Sequence, residues 1–321
     1  MADSFAGAGV QPLELNPRMT RWDRFTALGL MGLTGLCAYQ WWIKDTLFRY
    51  PVIHYPNGIE FDWEEKDHWY KSLMSKNLTP KLYRQLRSVA TEEAGVYGGF
   101  TLDKAIRSGV ENPESSVGIY AGDEESYESF APVFDKIIEE YHNGYTKDRK
   151  HKSSLNPKEV DPIPDPKKFE QYIVSTRMRV ARNVRGLALC PGQSHHQRKE
   201  LEHLAFDCFQ ELPKELAGHY CSLVDIDDAT QQRLLKEHLL FNKDDKYLQS
   251  AGANRDWPNG RGVFHNHDKK FLCWVGEEDQ LRIISMEKGA DIHGVFSRLC
   301  NGVQSIENSV KKRGKEFMYV K

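Results

Sequence analysis

The sequence predicts an α+β chain: a small helical domain, then an antiparallel sheet bracketed by helices, with one membrane-crossing helix ahead of both. Three observations predict it. An uncharged run of 19 residues occupies 25–43, helical periodicity runs through 76–146, and three short apolar runs separated by polar turns lie between 261 and 286. The 321 residues, 40% hydrophobic and 28% charged, suffice for roughly two domains and exclude a mini-protein or a wholly disordered chain. Net charge is -2, from 44 basic and 46 acidic residues interspersed along the chain, so no bulk field favours nucleic acid, and none is expected as a partner. Six cysteines, at 37, 190, 208, 221, 273 and 300, form no C-x-x-C pair and read as free thiols.

Residues 1–24 form an N-terminal tail. The run at 25–43, FTALGLMGLTGLCAYQWWI, would reach about 28 Å as a helix, close to a bilayer core. Arg18, Arg21 and Arg24 precede it, while Tyr39, Trp41 and Trp42 stand at its far end like an interfacial belt. Gly29, Gly32 and Gly35 offer a smooth face to another membrane helix, so the membrane and further subunits of a membrane complex are the expected partners. Residues 44–75, rich in aromatics and Pro, read as an extended strap on a neighbouring surface.

From 76 to 146 the chain reads as a small α-domain. Leu82, Leu86 and Val89 share one helical face, as do Phe130, Phe134, Ile137 and Ile138. Residues 147–168, polar and carrying prolines at 157, 162, 164 and 166, discourage regular structure and read as the linker. The second domain, 169–321, opens with an alternating strand over 172–181. Helices are expected over 197–212, 228–239 and 292–310, strands over 261–266, 271–275 and 281–286 as a meander, and an incoming strand at 317–320.

Within STRMRVARNVR, Arg177 and Arg179 fall on one strand face about 7 Å apart. Guanidinium forks at that pitch suit phosphate oxygens, and a solvated basic edge would look the same. Glu277, Glu278 and Asp279 follow one another at a hairpin tip, with Arg282 just beyond. Three adjacent carboxylates repel one another and need cations, whether nearby arginines, a cationic substrate or only solvent counterions. His265 fits either a ring stacked on a base or a hydrogen-bonded strand histidine. His195 and His196 read as a helix start, and no zinc spacing occurs.

These segments carry a resemblance. STRMRVARNVRG, DWPNGRGVFHN and FLCWVGEEDQLRIISMEKG, with NLTPKLYRQL, TLDKAIRSGVENPESSVGIYAGDEESYESF and HNGY upstream, resemble the phosphagen (ATP:guanidino) kinases across about 76–321. The resemblance implies a small α-domain for the guanidine and a larger antiparallel-sheet domain for nucleotide, with Mg-ATP or Mg-ADP as ligand. It places Arg177, Arg179 and Arg282 on the ATP phosphates, His265 against adenine, and Glu278 on the guanidinium as the catalytic candidate. Ser115, Val117, Gly118 and Tyr120 resemble the specificity loop of arginine kinases more than that of creatine kinases.

The chain departs from the family pattern in two ways. The acidic turn begins with Gly276 where the family has asparagine, which removes a side chain expected to help fix the turn. The family's last segment, with a reactive cysteine, two further arginines and a second glutamate, is not matched, and neither Cys273 nor Cys300 fills the cysteine's place. The catalytic domain is therefore expected to be partial. The leading expectation is an inactive, membrane-anchored relative serving as an accessory subunit of a respiratory-chain type complex in the mitochondrial inner membrane. The alternative is an active ATP:guanidino phosphotransferase tethered to a membrane.

Overall fold

A computed structural model of the chain describes residues 61, 63, 70–161 and 165–319. The expected span at 25–43 and most of the strap lie outside them. Among the described residues no helix is long and apolar enough to cross a membrane.

The helical layer begins with α1 (Leu73–Asn77) and α2 (Pro80–Leu86), each opened by a hydroxyl cap. Ser72 accepts from Ser75 N, and Thr79 accepts from Leu82 N ahead of Pro80, whose missing N–H costs nothing in a first turn. A two-rung antiparallel pair, β1 (Ala90–Thr91) with β2 (Phe100–Thr101), leads into α3 (Leu102–Glu111), capped by Thr101. A short α4 (Ser126–Ser129) and α5 (Ala131–Tyr141) complete the layer. Met74, Leu78, Leu102, Ile106, Phe130 and Val133 are its buried centre. Of the strap, Phe61 and Trp63 pack edge to face with ring centres 4.8 Å apart, and Trp63 reaches Tyr83 at 5.5 Å.

The stretch read as an unstructured linker contains a 3-10 turn at Pro157–Glu159 and a helix, α6 (Pro166–Glu170). Pro157 and Pro166 act as first-turn residues rather than breakers: Asp165 caps Lys168 N immediately before Pro166.

The second layer is a five-stranded antiparallel sheet of order β3-β7-β6-β5-β4. Its strands are β3 (Ser175–Arg182), β4 (Gly218–Ser222), β5 (Gly262–Asn266), β6 (Phe271–Val275) and β7 (Leu281–Lys288). The expected meander is β5, β6 and β7. One face, with Phe264, Phe271, Cys273, Val275 and Ile283, packs on α7 (His195–Gln210) and α10 (Ile292–Lys312). In α10 the buried Val295, Leu299, Val303, Ile306 and Val310 keep the helical period, each aliphatic contributing about 1.5–3 kcal/mol. Helix α7 starts two residues earlier than its hydrophobic pattern, because Ser194 and Gln197 form a capping box. The other face carries Val263, Leu272, Trp274 and Ile284, partly covered by α8 (Asp228–Lys236) and by Leu239, Leu240 and Phe241. A short α9 (Lys246–Ser250) abuts α3. Val174 is 87% exposed, and pairing begins only at Ser175. The expected C-terminal strand is a single antiparallel bridge, Val184 with Phe317.

Cys190, Cys208, Cys273 and Cys300 are free and buried, and Cys221 is free and half-buried. Desolvation pushes the Cys190 thiol up to about 11.

Candidate active site

Antiparallel register decides which side chains share a face. Arg177 pairs with Met286, Arg179 with Ile284, and Ala181 with Arg282. Across the next strands Arg282 faces Trp274, and Leu272 faces both Ile284 and His265. Arg177, Arg179, Arg282 and His265 therefore project from one side of the sheet, the side opposite α7 and α10.

Arg177 and Arg179 are uncommitted. Neither donates a hydrogen bond to any described residue; the Arg177 guanidinium lies 5.5 Å from the centre of the Trp274 ring. Trp274 is itself fixed, its Nε1 donating to Leu239 O at 2.7 Å. Loss of water around Arg177, followed by repulsion from Arg179 and Arg282, lowers its pKa, though a guanidinium keeps its charge. The strand thus presents concentrated positive charge with open donors.

Arg282 is differently placed. Its Nε donates to Asp279 Oδ2 at 2.9 Å, its Nη2 to Glu278 Oε2 at 2.8 Å, and its Nη1 lies 2.9 Å from Glu277 Oε2. Burial opposes its charge, but Asp279 and Glu277 outweigh that and raise its pKa. Burial in turn raises Glu277 and Asp279 against the pull of Arg282. Among the described residues Arg282 is the arginine that ion-pairs with the acidic turn, Arg179 adding a weaker attraction on Asp279, so three carboxylates share one guanidinium. Glu278 is the most open of the three, its side chain 46% exposed.

The turn is held by backbone and buried polar groups. Gly276 has φ +73°, its N–H donates to Gln280 O at 3.0 Å, and its own carbonyl accepts from Arg261 Nε at 3.0 Å. A Cβ at 276 would meet Gly260 O at 2.8 Å. The expected loss of fixation at this position is thus corrected: glycine is what lets the left-handed turn close against Arg261. Arg261 is wholly buried and also donates to the carbonyls of Ala253, Arg255 and Asn259. Burial lowers its pKa to about 10, and Arg198 adds to the shift.

The acidic tip borders a cavity of about 640 Å³ whose opposite wall includes Ser115, Val117, Gly118 and Tyr120. That loop is threaded between α1 and α3. Met74 N donates to Val117 O at 2.9 Å, and Tyr120 N to Ala105 O at 2.9 Å. Gly118 has φ +78°, and a Cβ there would meet the Ser72 side chain at 2.7 Å. Burial, then the negative charge of Glu278, raises the Tyr120 hydroxyl pKa, so the phenol stays protonated. The expected guanidine-site residues and Glu278 therefore line one cavity, while His265 sits on the sheet away from it. The His265 ring is half-buried, with Nδ1 3.0 Å from Asn266 O and an edge contact to His219.

Sequence reasoning missed the ties at the cavity's rim. Lys246 and Tyr247 of α9 both reach Glu114, Ser108 Oγ donates to Tyr247 O at 2.9 Å, and Asn112 Nδ2 donates to Ser250 Oγ at 3.1 Å. No local pattern signals contacts spanning well over a hundred residues.

The chain matches two descriptions of known families: the C-terminal catalytic domain of ATP:guanido phosphotransferases over residues 200–321, and the N-terminal domain of the same proteins over 68–139. It is 51% identical over 241 residues to an arginine kinase of Anthopleura japonica, covering 75% of this chain and 33% of that one. It is 44% identical over 252 residues to an arginine kinase of Stichopus japonicus, covering 78% and 66% respectively. Of solved structures, a lombricine kinase superposes with TM-score 0.72 at 32% identity, covering 80% of this chain and 68% of that one. The substrate-free duplicated taurocyamine kinase from Schistosoma mansoni superposes with TM-score 0.72 at 31% identity, covering 79% and 34%. The chain belongs to the phosphagen (ATP:guanidino) kinase family. It spans a third of the first arginine kinase and about two thirds of the second.

Proposed function

We propose that this chain supplies the nucleotide face and the guanidine cavity of an ATP:guanidino phosphotransferase whose substrate is arginine or an arginine-like amino acid. The observation that carries this reading is the adjacency of two uncommitted arginines, Arg177 and Arg179, to an acidic tip that opens onto the 115–120 loop. One region attracts polyanions and the next attracts a planar cation, as a reaction joining a triphosphate to a guanidine requires.

In this reading Arg177 and Arg179 bind the nucleotide phosphates and Arg282 bridges phosphate to the acidic turn. Glu278 orients the guanidinium so that one nitrogen lies in line with the transferring phosphoryl group. Fixed guanidinium charge matches the negative charge spread over the phosphoryl oxygens in the transition state. His265 is assigned to the adenine end. Ser115, Val117, Gly118 and Tyr120 shape the substrate's far end. Mg²⁺ would enter with the nucleotide, carried by its phosphates, and would offset their negative charge.

The relatives support this enzymatic reading over the accessory-subunit one, and they lend nothing to a respiratory-complex role or a membrane address. The test is ADP release from MgATP with and without arginine, alongside calorimetric titration of MgATP. Arginine-dependent release is expected; the absence of both release and nucleotide binding would overturn the reading.

A further inference from the structure

Asn183 follows β3 directly, four residues after Arg179, and its two side-chain ends have different fates. Oδ1 accepts the backbone N–H of Gln280 at 3.0 Å. A backbone N–H must meet an acceptor, which fixes the oxygen on that side and turns the amide nitrogen the other way. Nδ2 hydrogen-bonds to no described residue. Asn183 also lines the 640 Å³ cavity beside Glu278 and Asp279.

The mounting is rigid. Gln280 is wholly buried; its Oε1 accepts from Val184 N at 2.8 Å, and its Nε2 donates to Leu187 O at 3.0 Å and Ala188 O at 2.9 Å. The Asn183 carbonyl accepts from Met318 N at 2.8 Å. Such anchoring exceeds what a surface asparagine needs, and it holds an open donor in the cavity lined by Glu278 and Asp279.

We infer that Asn183 donates its side-chain amide to an oxygen of the transferring phosphoryl group, at the seam between the arginine face and the guanidine cavity. This rests on the phosphotransferase reading above. The chemistry selects the ligand: a guanidinium offers only donors, so an N–H of Asn183 finds nothing to bond on it, whereas a phosphoryl oxygen accepts. Glu278 and Asp279 provide for the cation, leaving the neutral donor for the anion. A neutral amide also adds no charge that would compete with Glu278 for the guanidinium.

The experiment titrates the full chain, as parent, Asn183→Asp and Asn183→Ser, with MgATP, MgADP and arginine separately by calorimetry. Asn183→Asp keeps an acceptor for Gln280 N and sets a negative charge where the phosphoryl oxygen belongs. Its MgATP affinity should fall about tenfold or more, while MgADP and arginine change less than about threefold. Asn183→Ser, uncharged and shorter, should lower the preference for MgATP over MgADP in the same direction and decides the matter if the Asp variant does not fold. Equal losses for both nucleotides, or an unchanged preference in both variants, overturn the inference while leaving the phosphotransferase reading intact. A parent that binds neither nucleotide overturns both.

Discussion

Arg179 and His265 stand on one line across the sheet, joined rung by rung through Ile284 and Leu272. Three strand spacings separate them, about 14 Å. In the proposed reading an extended nucleotide laid along that line has its base at β5 and its phosphates at β3, so the order of strands, rather than any single loop, would fix which way round it binds.

Replacing Arg177 with alanine removes one open guanidinium and uncovers the Trp274 ring. MgATP affinity should drop about tenfold or more, with thermal stability little changed, because the side chain hydrogen-bonds to no described residue and rests on the Trp274 ring. Calorimetry on parent and variant settles it; equal affinities would remove Arg177 from the phosphate site.

Glu278→Gln retains shape and abolishes charge at the most exposed of the three tip carboxylates. Arginine-dependent turnover should fall about a hundredfold, the scale of one lost preorganised charge contact. The melting temperature should hold, since Glu277 and Asp279 still bind Arg282. A variant as fast as the parent would show that the guanidine is gripped elsewhere.

Arg261→Met tests a different class of residue. Its guanidinium satisfies four backbone carbonyls in the interior, and methionine would leave them without donors. Urea unfolding should show a loss of about 3 kcal/mol or more. A loss under about 1 kcal/mol would mean that water takes over the carbonyls.

Glu211 gives a pH test. Hydrogen bonds from Arg313 and Ser309 hold its carboxyl near about 2, against an ordinary 4.5. A depressed carboxyl contributes stability above its unfolded pKa and loses that contribution as pH falls toward its folded one. Glu211→Gln should therefore lower the melting temperature at pH 7, and the gap from the parent should close between pH 4.5 and 2. A gap that stays constant across that window would refute the assignment.

Much of the scaffold is legible in the sequence, because apolar spacing alone specifies α10 and the three meander strands. Arg177 and Arg179 are legible as a pair from strand alternation. What periodicity hides is the work of buried polar groups. Arg261 reads as part of a short glycine-flanked segment, yet its burial makes it the pin of the acidic turn. Asn183 and Gln280 carry no pattern at all, since their value lies in meeting each other across nearly a hundred residues. The prolines near 157 and 166 mislead for a related reason: a proline is a breaker inside a helix and a starter at its first turn, and only the cap ahead of it tells which.

The 115–120 loop rides on the helical layer, pinned between α1 and α3, whereas the guanidinium forks belong to the sheet. In the proposed reading, selectivity and phosphate binding thus fall to separate parts, which face each other across the cavity and are tied at its rim through Glu114, Ser108 and Asn112 to α9. On that reading, substitutions in the loop would change which guanidine is admitted while leaving the anion cradle on the sheet undisturbed.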